Sequence, residues 1–166
     1  MLKYYDLPYV LKGKFDIVFT SYGVLSWIPD LPKWADIVSH YLKRGGKFHI
    51  VEFHPVQVIF DDSQNAKDLK VVLPYFQPAK PFKWAAGHSD YADPSKKRSN
   101  PAYEWQYPLG VVITSFIDAG LRIEFLHEFP FTCYQALPFM KKRRDGWWHI
   151  DGDQLPLMFS LKATKA

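Results

Sequence analysis

Two stretches of the chain put reactive side chains just past apolar runs. Glu52 and His54 flank Phe53 at the end of the run Phe48, Ile50, Val51, Phe53. Histidine titrates near neutrality, so His54 has the chemistry of a general base toward a hydroxyl or an amine. Glu52 has that of a substrate-orienting carboxylate. For each, a purely structural hydrogen bond is the alternative. Thr20, Ser21, Tyr22 and Gly23, with Trp27 beyond, follow a second apolar run, Phe15, Ile17, Val18, Phe19. Gly23 lets backbone approach a ligand closely, and the face of Trp27 favours a cation. A tight turn with Trp27 as core filler is the competing reading. Glu104, Trp105 and Tyr107 offer hydrogen-bonding aromatics, which suit a small aromatic or heterocyclic ligand. Their alternative is an aromatic staple.

Other chemistries find no support. His40, His88, His127 and His149 have no metal-ligand spacing, so no zinc site is expected. Neither a Gly-x-Ser-x-Gly elbow nor a Walker loop occurs. Cys133 is the single cysteine, which excludes an internal disulfide and fits a reducing cytosol. It reads as a buried packing thiol. Net charge is +4, with basic clusters at Lys96-Lys97-Arg98 and Lys141–Arg144 in stretches of loop composition. They lack the patterned basic face of a nucleic-acid binder. No apolar run reaches the ~18 residues of a membrane span, and Met1–Val10 lacks the apolar core of a signal peptide. Hydrophobic residues at 48% against 23% charged predict a globular core, and 166 residues predict one domain, 1–166.

The elements that must position these residues follow from periodicity. Phe15–Phe19 reads as a buried parallel strand, whose carboxyl end is where α/β folds place ligands. Asp30 caps a helix with Pro32 in its first turn. Trp34, Ile37, Val38, Tyr41 and Leu42 form one helical face. Lys43 and Arg44 suit the negative end of that helix, and Gly45 its left-handed C-terminal position. Phe48–Phe53 then forms a second strand, parallel to the first through a right-handed crossover. Residues 54–103 exceed an ordinary connection and read as a lid or substrate-facing insertion. Within it, Val71–Tyr75 and Tyr103–Tyr107 are expected to pair as short antiparallel strands. Leu109, Val112, Ile113, Phe116 and Ile117 mark a second helix, ended by Gly120. Leu121–Phe129 and Leu157–Lys162 form an antiparallel pair around an elaborate loop.

The order of these elements resembles the C-terminal half of class I S-adenosylmethionine-dependent methyltransferases. The carrying residues are Phe15-Asp16-Ile17-Val18 with Trp27, Leu42-Lys43-Arg44-Gly45-Gly46, and Asp118-Ala119-Gly120-Leu121. The resemblance implies an α/β, Rossmann-like sheet truncated to about its last four strands, with a long insertion after the second. It implies S-adenosylmethionine as cofactor and a small-molecule methyl acceptor as partner. Thr20, Ser21, Tyr22, Gly23 and Trp27 would line the cofactor, and Trp27 would lie beside its sulfonium. Asp6, in Tyr4-Tyr5-Asp6-Leu7-Pro8, would lie near the adenine, a turn-capping role being the alternative. His54 and Glu52 would serve the acceptor, with Glu104, Trp105 and Tyr107 facing it. The first three strands and the glycine-rich loop of the family have no counterpart here. Met1 therefore reads as an internal start, a shortened chain or an incomplete gene, and cofactor binding is expected to be weak or absent. A bare strand edge at Phe15–Phe19 is expected to recruit a homodimer or higher assembly. Neither a nucleic-acid nor a membrane partner is expected, and the location expected is cytoplasmic. The other reading is a non-catalytic fragment serving as an assembly module.

Overall fold

The computed structural model describes residues 4–76, 80–87 and 99–166. A short helix α1 (Leu7–Val10) precedes β1 (Phe15–Ser21), α2 (Leu31–Tyr41) and β2 (Leu42–Phe53). The Asp30 side chain accepts a hydrogen bond from Lys33 N–H at 3.1 Å, capping α2, and Pro32 lies in its first turn. β1 and β2 pair in parallel, with Val18 opposite Phe48 and Thr20 opposite Ile50. This is the expected strand–helix–strand unit, but β1 is not the buried strand expected: it lies at the sheet edge, and Phe15, Ile17 and Phe19 are exposed.

Its helix ends earlier than the sequence predicts. Leu42 is already extended (φ −82°, ψ 136°), so Lys43–Gly46 lies in β2 rather than at a helix terminus. Gly45 does adopt a left-handed φ of +76°, but inside the strand, where the register with β1 shifts. Gly46 is required by space: a Cβ there would lie 2.9 Å from the Lys43 carbonyl and 3.1 Å from that of Phe15. Lys43 turns to Asp16, 2.8 Å away, instead of to the helix dipole.

Two short strands, β3 (Phe82–Trp84) and β4 (Ala102–Glu104), pair antiparallel. β4 thus takes Phe82–Trp84 rather than Val71–Tyr75, and Val71 bridges to Phe60. Of 71–75, Tyr75 packs against a second, smaller core, while Val71 and Val72 are exposed. Then come α3 (Leu109–Asp118), β5 (Leu121–Phe129), β6 (Phe131–Thr132), β7 (Lys141–Lys142), β8 (Trp148–His149) and β9 (Met158–Lys165). β9 runs antiparallel to both β2 and β5, giving the main sheet the order β1-β2-β9-β5. The connection between β5 and β9 folds into a small sheet, β6-β8-β7. Alternation at its start buries Thr132 and turns Cys133 outward, so the thiol is exposed rather than a packing residue.

Both longer helices cover one face of the main sheet. Trp34 of α2, Phe116 of α3 and Phe48 of β2 meet with ring centroids 4.8–6.0 Å apart. Phe48, Phe116, Phe159 and Leu161 are fully buried there. Each such side chain contributes about 1.5–3 kcal/mol. The opposite face carries a row of rings, Phe19, His49, Phe125 and His127, with neighbouring centroids 4.4–6.0 Å apart. Ile17 and Phe19 on that face are 66% and 56% exposed. Among the described residues, no strand pairs with the outer side of β1. No described helix is long and apolar enough to cross a membrane.

Candidate functional site

The loop that follows β1 reverses sharply. Tyr22 N–H still donates to the Val51 carbonyl, so it ends in register with β2. Tyr22 and Gly23 then take positive φ, +52° and +81°, before a 3-10 turn at Leu25–Trp27. A left-handed tyrosine is uncommon and costs energy unless its surroundings hold it. The Tyr22 ring lies 6.1 Å from that of Phe53, and a Cβ on Gly23 would touch the same ring at 3.5 Å.

Glu52 holds this reversal. Its Oε1 accepts from Gly23 N–H at 2.5 Å and from its neighbour Phe53 N–H at 2.8 Å. Its Oε2 accepts from Val24 N–H at 2.7 Å and Leu25 N–H at 3.2 Å. With the side chain buried, four backbone donors occupy both oxygens.

His54 is also buried, one residue beyond β2. Its Nδ1 accepts from Val56 N–H at 3.1 Å, which places the ring proton on Nε2. Nε2 faces Glu128 Oε1 at 2.9 Å, off the line of a well-formed hydrogen bond. Burial pushes the imidazole pKa below its ordinary value, against the opposing pull of Glu128. The lone pair that a general base needs is thus committed to Val56.

The segment after β4 closes over this corner. Trp105 N–H donates to the Ser26 carbonyl at 2.9 Å, and Tyr107 O–H to the Ile28 carbonyl at 2.7 Å. Burial raises the Tyr107 phenol to about 12, so it stays a neutral donor. Glu104 instead receives the Trp84 indole N–H at 2.9 Å, tying β4 to β3. A cavity of about 50 Å³ lies between, lined by Ser26, Glu52, His54, Trp105, Gln106 and Tyr107 among others. Four residues singled out in the sequence therefore meet: Glu52, His54, Trp105 and Tyr107.

The rest lie around it. Thr20 has its Oγ1 buried with no hydrogen-bond partner among the described residues, and Ser21 ends β1. Trp27 is half-exposed and borders a shallower groove with Pro101, Ala102 and Tyr103. Asp6 heads α1 without a side-chain cap bond and does not line the cavity. Ser26 and Gln106 were not singled out, since nothing in their spacing marks a backbone carbonyl or an amide as a wall. Gln106 reaches the Pro55 and Tyr75 carbonyls at 3.3 and 3.4 Å. No group of three or more potential metal ligands occurs among the described residues.

No protein-family model and no curated protein matches the sequence. Solved structures do. An S-adenosylmethionine-dependent methyltransferase from Mesorhizobium loti is 17% identical with a TM-score of 0.59, covering 92% of this chain and 62% of that one. Another, from Clostridium acetobutylicum, is 15% identical with a TM-score of 0.57, covering 99% of this chain and 63% of that one. The chain spans about three fifths of their length. Identity this low carries the fold alone. The chain has a partial class I S-adenosylmethionine-dependent methyltransferase fold.

Proposed function

We propose that this chain is the acceptor-side part of an S-adenosylmethionine-dependent methyltransferase acting on a small molecule, and that alone it binds the cofactor weakly. The observation that carries the reading is the cavity at the carboxyl ends of β1 and β2, where Glu52, His54, Trp105 and Tyr107 converge. That edge is where α/β sheets hold ligands. The residues present fit the cofactor in part. Tyr22 and Phe53 offer π faces suited to a sulfonium. The cavity has room for a few waters or one small group, not a nucleoside, and the sequence has no glycine-rich loop.

When bound, S-adenosylmethionine supplies an electrophilic methyl group. The chain's own contribution is alignment. Trp105 and Tyr107 wall the acceptor, and Glu52 fixes the loop beneath it. His54 as a general base would first have to give up its Val56 hydrogen bond. The test is titration of the isotope-labelled chain with S-adenosylhomocysteine, followed on backbone amide resonances. Signals of Ser21–Trp27 and Trp105–Tyr107 are expected to move at millimolar ligand. Silence there contradicts the reading.

A second reading, an assembly module, is favoured by a different observation. β1 presents Ile17 and Phe19 to solvent beside a strand edge that no other described strand pairs with. Such edges pair with other chains, here as a homodimer or higher assembly.

A further inference from the structure

The loop after β1 has a backbone shape suited to enclosing an anion. Gly23 has φ +81°, and Val24 follows at φ −74°, ψ −42°. A left-handed residue followed by a right-handed one turns successive N–H groups to the same side, making a concave nest for negative charge. The N–H groups of Gly23, Val24 and Leu25 converge in this way. All three point at the carboxylate of Glu52, 27–29 residues further along the chain.

We propose that Glu52 is a positioning residue, the resident anion of this nest, and that it sets the conformation of the loop carrying Tyr22 and Trp27. The functional consequence rests on the loop belonging to the proposed methyltransferase site, whereas the conformational claim stands on geometry. A carboxylate is an acceptor only, so two oxygens can take all four N–H groups, Phe53 included. An amide of the same shape would turn its own N–H₂ against two of them. Glu52 is 3% exposed, so in the folded chain its carboxylate is held by these backbone N–H groups rather than by bulk solvent. The uncommon φ of Tyr22 is then followed by two tethers, Glu52 on the N–H groups of Gly23–Leu25 and Trp105 N–H on the Ser26 carbonyl.

The test uses the whole chain and no cofactor. Glu52→Ala leaves a nest without its anion, and sodium formate is the probe. Formate is expected to raise the melting temperature of Glu52→Ala by several degrees and to return the Gly23–Leu25 amide resonances toward those of the unaltered chain. Sodium chloride at equal ionic strength is expected to do neither. Glu52→Gln is expected to fold with its Phe48 and Phe116 signals in place but its Gly23–Leu25 signals displaced. Loop signals unmoved in Glu52→Gln overturn the proposal, as does a Glu52→Ala chain indifferent to formate. If Glu52→Ala does not fold, Glu52→Gln decides. A chain that passes these tests yet leaves its loop silent to S-adenosylhomocysteine counts against the proposed function and not against the nest.

Discussion

His54 carries a pH-dependent part of the stability. Burial lowers its folded pKa beneath the ordinary 6.5, so the folded chain favours the neutral ring. On acidification the unfolded chain takes up the proton first. The stabilisation is therefore present above pH 6.5 and is lost as pH falls through the lowered folded value. Urea unfolding at pH 7.5 and 5.5 is expected to show a loss of stability that His54→Gln reduces. Equal losses in both chains contradict it. Glu124 does not confuse this window. Lys47, Thr164 and Lys162 hold its carboxyl down to about 2, so its contribution fades only below pH 4.5. At this scale the sequence was half legible. Glu52 and His54 are neighbours on a strand end, which spacing reveals. Their partners, Gly23–Leu25 and Glu128, lie far along the chain and follow only from the fold.

Helices and strands were legible wherever one face is buried. The stripe Trp34, Ile37, Val38, Tyr41 is buried as its period requires; in the second stripe Val112 and Phe116 are fully buried, whereas Ile117 is exposed. Lys43–Gly46 misled because a helix end and a strand bulge both use a left-handed glycine. The strand pairing within 54–103 misled because a short apolar run need not be buried: Val71 makes a single bridge to Phe60, and Val71 and Val72 stay exposed. The helix–sheet contact makes a quantitative prediction. Phe116 is fully buried and packs on Phe48 at 4.8 Å and Trp34 at 5.8 Å. Phe116→Ala is expected to cost about 3–5 kcal/mol by denaturant unfolding. A loss below ~1 kcal/mol would mean that α3 is not seated as described.

Among the described residues, helices cover one face of the main sheet and not the other. Helices α2 and α3 cover the first, while Ile17, Phe19 and the rings of His49, Phe125 and His127 lie on the second. Apolar surface beside unpaired N–H and C=O groups favours association. Light scattering at tens of micromolar is expected to give a dimer or larger, and Ile17→Lys to shift it toward monomer. A monodisperse monomer before the substitution contradicts this. The proposed acceptor edge of a methyltransferase site is Ser21–Trp27 together with Trp105–Tyr107. It meets its most direct test in the S-adenosylhomocysteine titration, read for place and affinity together. Amide shifts are expected only in those two segments, with a dissociation constant weaker than ~100 μM. Shifts elsewhere, no shifts at all, or saturation at micromolar ligand, about 8 kcal/mol of binding free energy, would contradict it.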